Sequence, residues 1–587
     1  MPHVLARALA LAYRGATRSL FGGGAMGGAL GVVVGGAVIG AMLGACGRAG
    51  ASDPGAAMTI LGESTRYRVG DPLPRVTPWF DGTRVSLVAA RGETLGLQVI
   101  RAHDRASNAH LVASDSGQLA QSLASENAQM VASDNDHLVA SNVRVSIPGI
   151  DVRVFDVELF DVTRPSTELY GGSRGRGRYA DGLVPRTVSK ATASNATGAS
   201  NATPTSSATE ASSATGPIYI ELRIPRDARP GTLVGELLVG DARYPIELVI
   251  ARVTIPARAP RVWAYEDPRE LAWATATSAP STSAPMTSAP TTSAPTTSAM
   301  PSRAVPSAEE RACAAVFRDH GVLLSPDLHL DGWPARQADF AGVRDVPVVI
   351  SDDPAKAGDD VRAWIAATKG TGHVPFAIPI DEPRTPERIR EVVELGKVIR
   401  AAGGGPHTFR FAVTADPRPA WIGLVDQFIQ LDPAPRSGAW AYNGSPPWAG
   451  AVVLDAETPG TRTWGWVAHR DGIAQWYVWD ALYWHDRHNR QGGRALDPAR
   501  DPISFDDGDD RGNLDGVLAL PGCRPTLRLA ALRRGQQDRA LLELANACDP
   551  IATAGVVART MPARRWPTDE SVWERSRREL IGIAGCR

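Results

Sequence analysis

Residues 374–392 read VPFAIPIDEPRTPERIREV, and this stretch determines which fold we predict. Its first seven residues are all apolar or proline, which is typical of a strand buried on both faces of a parallel sheet. Two carboxylates, Asp381 and Glu382, follow at once, and Pro383 takes the chain out of the sheet. Thr385 then suits the N-cap of a helix. A buried strand that ends in acids and leads into a helix indicates a parallel α/β fold.

Stretches of the same kind recur along the second half of the chain, and helical patterns separate several of them. We predict eight strands in the order of a (β/α)8 TIM-type barrel, an α/β fold, over residues 257–550. The eight stretches are RVWAYEDP (261–268), GVLLSPDL (321–328), VPVVISDD (346–353), VPFAIPIDEP (374–383), TFRFAVTADP (408–417), FIQLD (428–432), GAWAYNG (438–444) and AQWYVWDA (474–481).

The first half of the chain predicts an all-β domain. Residues 61–256 hold many short alternating strands bounded by Gly, Pro and Asp, which favours an N-terminal β-sandwich. Low-complexity insertions interrupt it at about 103–142 and 190–216, and a Thr/Ser/Ala/Pro repeat at 276–303 is predicted as a loop inside the barrel. Residues 524–547 predict an amphipathic helix with Leu at helical spacing, and 551–587 a C-terminal helical extension.

The N-terminus predicts an exported lipoprotein. A basic start precedes a small, apolar run that ends in LGAC (43–46), which resembles a bacterial lipobox with Cys46 as the lipidated residue. Residues 1–45 are then a signal peptide and 46–60 a tether, and we expect a lipid anchor in the cell envelope, at the outer membrane or cell surface. The alternative is a retained transmembrane anchor.

The charge balance argues against a nucleic-acid-binding protein, and the cysteines indicate disulfides. The 62 Lys+Arg balance 63 Asp+Glu, so the chain has no electrostatic footprint for nucleic acid. In an exported protein Cys313, Cys523, Cys548 and Cys586 can form disulfides, and we expect pairing among the last three. The sequence predicts no metal site and no cofactor, and it leaves the oligomeric state open.

The acid pair has two interpretations. In a barrel the active site lies where the strands end, and Asp381 and Glu382 lie at the end of the fourth predicted strand. Acids before a helix also serve as N-caps and interact favourably with the helix dipole.

Several motifs resemble the group around glycoside hydrolase family 123 and the related domain of unknown function 4091. The resemblance spans most of the mature chain, in the family's order. It rests on ARGETLGLQV (90–99), YADGLVP (179–185), DARPGTLVGELLV (227–239), IDEP (380–383), LDGVLALPG (514–522) and PTLRLAALRRGQQDRALL (525–542).

The resemblance implies a β-N-acetylgalactosaminidase-like enzyme that acts on a glycan by substrate assistance. The sugar's own acetamide carbonyl attacks the anomeric carbon, so no enzyme nucleophile is needed. Glu382 is then expected to be the general acid and base, and an ionised Asp381 to orient the acetamide. Tyr442 is expected to bind the acetamide oxygen, and Trp476 and Trp479 to form the floor under the sugar.

The tail departs from the family, because RRGQQDRALL (533–542) stands where the family tends toward an acidic, aromatic sequence. Two alternatives therefore stay open. One is a glycosidase of other specificity on the same scaffold, and the other is a non-catalytic glycan-binding envelope lipoprotein.

Overall fold

The computed structural model describes residues 58–101, 143–186, 216–267, 269–271, 305–484, 501–506, 508 and 510–586. The signal segment, Cys46 and nearly all of the three predicted insertions lie outside these residues. Within the described ranges no helix combines the length and apolarity needed to cross a membrane.

The N-terminal domain is a β-sandwich, as predicted. One sheet has the order β1-β3-β7-β5-β6 and is antiparallel throughout, and the other has the order β2-β9-β8-β4. Inward residues such as Val99 and Ile220 on the first sheet and Leu87 and Leu248 on the second share one core. The strands are β1 (Met58–Gly62), β2 (Val85–Arg91), β3 (Thr94–Arg101), β4 (Val143–Ser146), β5 (Asp151–Val162), β6 (Gly177–Pro185), β7 (Ile218–Arg223), β8 (Gly231–Val239) and β9 (Ala242–Thr254). Because β1 begins at Met58, the segment predicted as a tether to residue 60 already contributes to the sandwich.

The second domain is a nearly closed parallel barrel, and each of its eight strands overlaps one of the eight predicted stretches. They are β10 (Val262–Glu266), β11 (Val322–Pro326), β12 (Asp345–Pro347), β13 (Val374–Ala377), β14 (Arg410–Val413), β15 (Gln427–Gln430), β16 (Ala439–Tyr442) and β17 (Ile473–Val478). The sheet order is β11-β10-β17-β16-β15-β14-β13-β12. Just beyond the two edge strands, the Val349 N–H donates to the Leu328 carbonyl at 2.9 Å.

Aromatic side chains fill the barrel interior. Trp263 on β10 lies 5.1 Å from Phe376 on β13, and Phe376 lies 4.9 Å from Trp440 on β16, between ring centroids. Since these strands are not neighbours in the sheet, the contacts must cross the interior. Trp263 also stacks on Tyr477 at 4.1 Å. The barrel is therefore a packed core whose open end is set by the residues after each strand.

Helices surround the barrel where the chain returns between strands. The helices are α1 (Ala308–Asp319), α2 (Trp333–Arg336), α3 (Pro354–Thr368), α4 (Pro386–Ala401) and α5 (Thr463–Asp471). Short 3-10 turns in the same part of the chain are Leu330–Gly332, Gln337–Phe340, Pro419–Trp421 and Gly460–Arg462. Two more lie elsewhere, at Glu168–Tyr170 in the sandwich and at Ala584–Cys586 near the C-terminus. Thr385 caps α4 as predicted, since its hydroxyl accepts from the Arg388 N–H. Two small hairpins follow the barrel: β18 (Ile503–Asp506) with β19 (Arg511–Asn513), and β20 (Ala519–Leu520) with β21 (Arg524–Pro525).

Three C-terminal helices follow the hairpins: α6 (Leu527–Cys548), α7 (Pro550–Thr560) and α8 (Glu570–Ile583). The predicted helix at 524–547 is confirmed as α6. The polar face packs on the sandwich: Arg528 pairs with Asp181 of β6 at 2.7 Å, and Arg533 with Glu221 of β7 at 2.6 Å. Charged residues there are buried because they meet opposite charges on the sandwich.

The disulfides correct one expectation. Cys548 pairs with Cys586, within the group that we expected, but Cys523 pairs with Cys313 across 210 residues of sequence. Cys313 lies on α1, fully buried, and its Cα is 5.2 Å from that of Cys523. The fold places α1 beside the turn between β20 and β21 that holds Cys523, and the spacing of the cysteines along the chain does not indicate this pair.

Candidate active site

The acid pair lies on the chain that leaves β13, at the carboxyl end of the barrel. Ile380 before the pair is buried, and so is Pro383 after it. Glu382 has a backbone φ of 40°, in the left-handed region that residues other than glycine rarely adopt. On a regular strand two consecutive side chains point to opposite faces of the sheet. Because Glu382 has a left-handed backbone, the two carboxylates of this turn do not follow that alternation.

Both oxygens of Glu382 accept hydrogen bonds. Tyr442, the last residue of β16, donates its hydroxyl to Oε1 at 2.9 Å. Arg384 donates Nη2 to Oε2 at 2.5 Å, and the Glu382 side chain is 32% exposed. A tyrosine from a strand end across the barrel and an arginine from its own turn thus fix this carboxylate at the open end.

Asp381 is exposed at the open end, although protein surrounds its carboxylate on most sides. This loss of surrounding water raises its pKa above the ordinary value, and the nearby charge of Glu382 adds to the effect. A hydrogen bond from the Thr414 hydroxyl to Oδ1 opposes both and favours the ionised carboxylate. An accessible acid with a raised pKa beside a second acid, at the end of a barrel strand, is a common feature of functional sites.

Residues from other strand ends contribute to the same electrostatic environment. Tyr265 on β10 donates its hydroxyl to Asp327 Oδ2, after β11, at 3.1 Å. Tyr477 on β17 is buried; burial and then the charges of Asp381 and Asp480 raise its pKa well above the usual range. Tyr477 therefore stays neutral at pH 7 and keeps a hydroxyl proton to donate. The mouth combines acids with neutral tyrosines, a set suited to binding hydroxyl groups.

The predicted site residues are brought together only in part. Asp381, Glu382 and Tyr442 form one cluster, with Tyr442 in contact with Glu382. Trp479 follows β17 directly, and the Asn443 side chain holds its backbone through two hydrogen bonds, to its N–H at 2.9 Å and its carbonyl at 3.2 Å. The Trp479 indole lies 5.4 Å from the Tyr483 ring.

Trp476 does not belong to this cluster. It is fully buried, 4.6 Å from the Trp464 ring and 5.2 Å from the Trp448 ring, between centroids. Side chains alternate along a strand, and its neighbour Tyr477 points into the barrel, so Trp476 points outward into the helix layer. The prediction that Trp476 lines the sugar floor is corrected on this ground.

Three polar residues of the site were missed from sequence: Arg384, Thr414 and Asn443. Each lies within a few residues of a strand end, in DEPR, AVTADP and AYNG. The rule that barrel sites are built from strand ends could have nominated all three, but residue type alone did not separate them from turn residues. Among the described residues no group of three or more His, Cys, Asp or Glu could hold a metal ion.

The fold and the strand-end site define a barrel protein with an appended β-sandwich. A solved structure with this architecture is a family 123 glycoside hydrolase from Clostridium perfringens, which was analysed for glycolipid glycan hydrolysis. The match has a TM-score of 0.52 and 8% sequence identity, and it covers 90% of this chain and 97% of that chain. No protein-family profile and no curated protein sequence matches the chain. At this identity the likeness shows the fold.

Proposed function

We propose that this protein is a retaining glycosidase that hydrolyses N-acetylhexosaminides by substrate assistance. The observation that carries the proposal is the pair Asp381–Glu382 at the mouth of the barrel, held from three sides by Thr414, Tyr442 and Arg384. The similarity of the whole fold to a family 123 glycoside hydrolase supports it.

Adjacent acids suit this mechanism better than the ordinary two-carboxylate mechanisms. Those need carboxyl groups on opposite sides of the glycosidic bond, whereas Asp381 and Glu382 leave the same turn. Here the acetamide carbonyl oxygen attacks the anomeric carbon, and the glycosidic oxygen leaves with a proton from Glu382. A water molecule then opens the oxazolinium ion and returns its proton to Glu382.

Asp381 is the residue that orients the acetamide. An ionised Asp381 accepts a hydrogen bond from the acetamide N–H and stabilises the positive charge that develops on the ring. The Thr414 hydrogen bond supports this role, because it favours the ionised form against the raised pKa.

Glu382 must present one of its oxygens to the glycosidic oxygen, and in this structure Tyr442 donates to Oε1 while Arg384 donates to Oε2. Tyr442 is part of β16, whereas Arg384 lies on the turn after the acid pair and its side chain is 30% exposed. Arg384 is therefore the donor that leaves Oε2 when the leaving group of the substrate enters.

We also propose that the protein is exported and anchored by a lipid on Cys46. Two disulfides within the described part, Cys313–Cys523 and Cys548–Cys586, fit an oxidising compartment. Mass spectrometry of the protein from its native membrane, with Cys46→Ser as control, tests the anchor; a Cys46 free of lipid would exclude it.

The activity test uses soluble protein that starts after Cys46. Nitrophenyl β-N-acetylgalactosaminide, β-N-acetylglucosaminide, β-galactoside and β-glucoside are compared for the wild type and Glu382→Gln. The matched control is Glu387→Gln, a 66%-exposed glutamate on α4 that pairs with Arg390. We expect the wild type to hydrolyse the acetamido sugars alone. Glu382→Gln should lose this activity, and Glu387→Gln should keep it.

The other outcomes separate the rival functions. Turnover of the plain sugars refutes substrate assistance, because they carry no acetamide, and indicates a glycosidase of other specificity. Binding of N-acetylgalactosamine by calorimetry without turnover indicates a glycan-binding protein. NMR of the first product anomer adds a separate check, since substrate assistance gives retention.

A further inference from the structure

We propose that Thr414 is the positioning residue of the acid pair, through a hydroxyl that holds the Asp381 carboxylate and the Glu382 backbone together. Its role in catalysis rests on the proposed function, but the positioning itself is a structural inference. Thr414 follows β14, the neighbour of β13 in the barrel, so it lies beside the turn that carries the acids.

The hydrogen-bond direction is determined by the groups present. The Glu382 N–H donates to Thr414 Oγ1 at 2.9 Å, and the N–H can only donate. The hydroxyl has a single proton, and that proton goes to Asp381 Oδ1. Thr414 is only 4% exposed, so water replaces neither bond easily. One hydroxyl thereby orients both catalytic candidates.

The backbone of Glu382 explains why the turn needs such a clamp. A left-handed conformation is unfavourable for a residue other than glycine, so the turn relaxes unless neighbours hold it. The bond from the Glu382 N–H to Thr414 is a specific contact that requires this conformation. Without the Thr414 hydroxyl, the Glu382 N–H loses this acceptor at the end of β14.

The charges around Asp381 define a pH signature. Burial raises the pKa of Asp381 and the charge of Glu382 adds to it, while the Thr414 hydrogen bond, the charge of Arg384 and a hydrogen bond from the Glu382 backbone lower it. Tyr442 and Tyr477 also face it, and their own raised pKa values keep both neutral. Loss of the Thr414 hydroxyl therefore leaves Asp381 harder to ionise. In an enzyme that needs ionised Asp381, the acidic limb of the pH–rate profile then moves to higher pH.

The test compares Thr414→Val, which keeps the shape, with Thr414→Ser, which keeps the hydroxyl. The matched control is Thr368→Val on α3, a buried threonine whose hydroxyl donates to the Trp364 carbonyl at 2.8 Å, away from the site. In Thr414→Val we expect kcat/KM for nitrophenyl β-N-acetylgalactosaminide to fall roughly 10- to 100-fold, with the acidic limb shifted upward. Thr414→Ser should retain most of the activity, and Thr368→Val all of it.

The outcomes distinguish this inference from the proposed function. If the wild type is active, a Thr414→Val enzyme within about threefold of it and with an unmoved acidic limb overturns the positioning role. If the wild type hydrolyses none of the sugars, the crystal structure of Thr414→Val decides instead. Glu382 leaving the left-handed region would support the inference, and an unchanged turn would refute it.

Discussion

The contact between α6 and the sandwich gives the sharpest stability prediction. Arg528 and Asp181 are both fully buried, and Arg528 donates twice to Asp181 Oδ2, at 3.0 and 2.7 Å. It also donates to the carbonyls of Val452 at 2.9 Å and Leu514 at 2.6 Å. Arg528 thus ties the sandwich to two segments that follow the barrel strands β16 and β17.

Arg528→Met removes all four hydrogen bonds and leaves the Asp181 carboxylate buried without its cation. Breaking a buried pair from one side destabilises a protein by about 3–5 kcal/mol. Since domains have total stabilities of about 5–15 kcal/mol, the loss is at least a fifth of the total and can be most of it. The double variant Arg528→Met/Asp181→Leu removes both charges, and we expect it to regain most of the loss.

Urea unfolding at pH 7, followed by circular dichroism, measures the change as a shift in the midpoint. The control is Arg362→Met, because Arg362 pairs with Asp359 at the surface, where the two side chains are 59% and 80% exposed. An exposed pair of this kind contributes at most about 1 kcal/mol. If Arg528→Met shifts the midpoint no more than Arg362→Met does, the buried pair does not join the domains as we infer.

Three further predictions concern the site and its surroundings. Tyr442→Phe removes the donor to Glu382 Oε1, so kcat/KM for the acetamido substrate should fall about 10- to 100-fold with little change in the thermal midpoint; unchanged kinetics would contradict the contact. Trp479→Ala should raise KM, whereas Trp476→Ala should lower the thermal midpoint without a selective effect on KM, because its indole packs in the helix layer. Burial raises the pKa of Asp515 to about 6, so its stabilising contribution is present below about pH 4 and is lost as the pH rises through 6. Asp515→Asn should therefore be more stable than the wild type above pH 6 and equal to it near pH 4, as measured by thermal unfolding across pH.

The barrel was predictable from sequence because each strand is a short apolar run that ends in polar residues. β13 and β17 are read in this way from VPFA and IAQWYV alone. The acid pair was found by the same rule, since the site lies where strands end.

The sequence could not predict which way each side chain points or which distant residue it contacts. Trp476 and Trp479 stand in the same aromatic stretch, AQWYVWDA (474–481), but alternation along the strand directs Trp476 into the helix layer, whereas Trp479 follows the end of β17. The local sequence of α6 does not indicate which residues its arginines pair with, because the partners Asp181 and Glu221 lie more than 300 residues earlier in the chain. Thr414 carries no signal of its own, since its role exists only once β13 and β14 are adjacent.

The left-handed backbone of Glu382 has a consequence for engineering this protein. Glycine adopts that conformation without penalty, and asparagine adopts it more readily than glutamate does. A variant library sorted only by heat resistance should therefore enrich Gly or Asn at position 382 and discard the proposed acid. Thermal selection of this chain needs a simultaneous screen for turnover, because the proposed chemistry requires a residue that this backbone conformation disfavours.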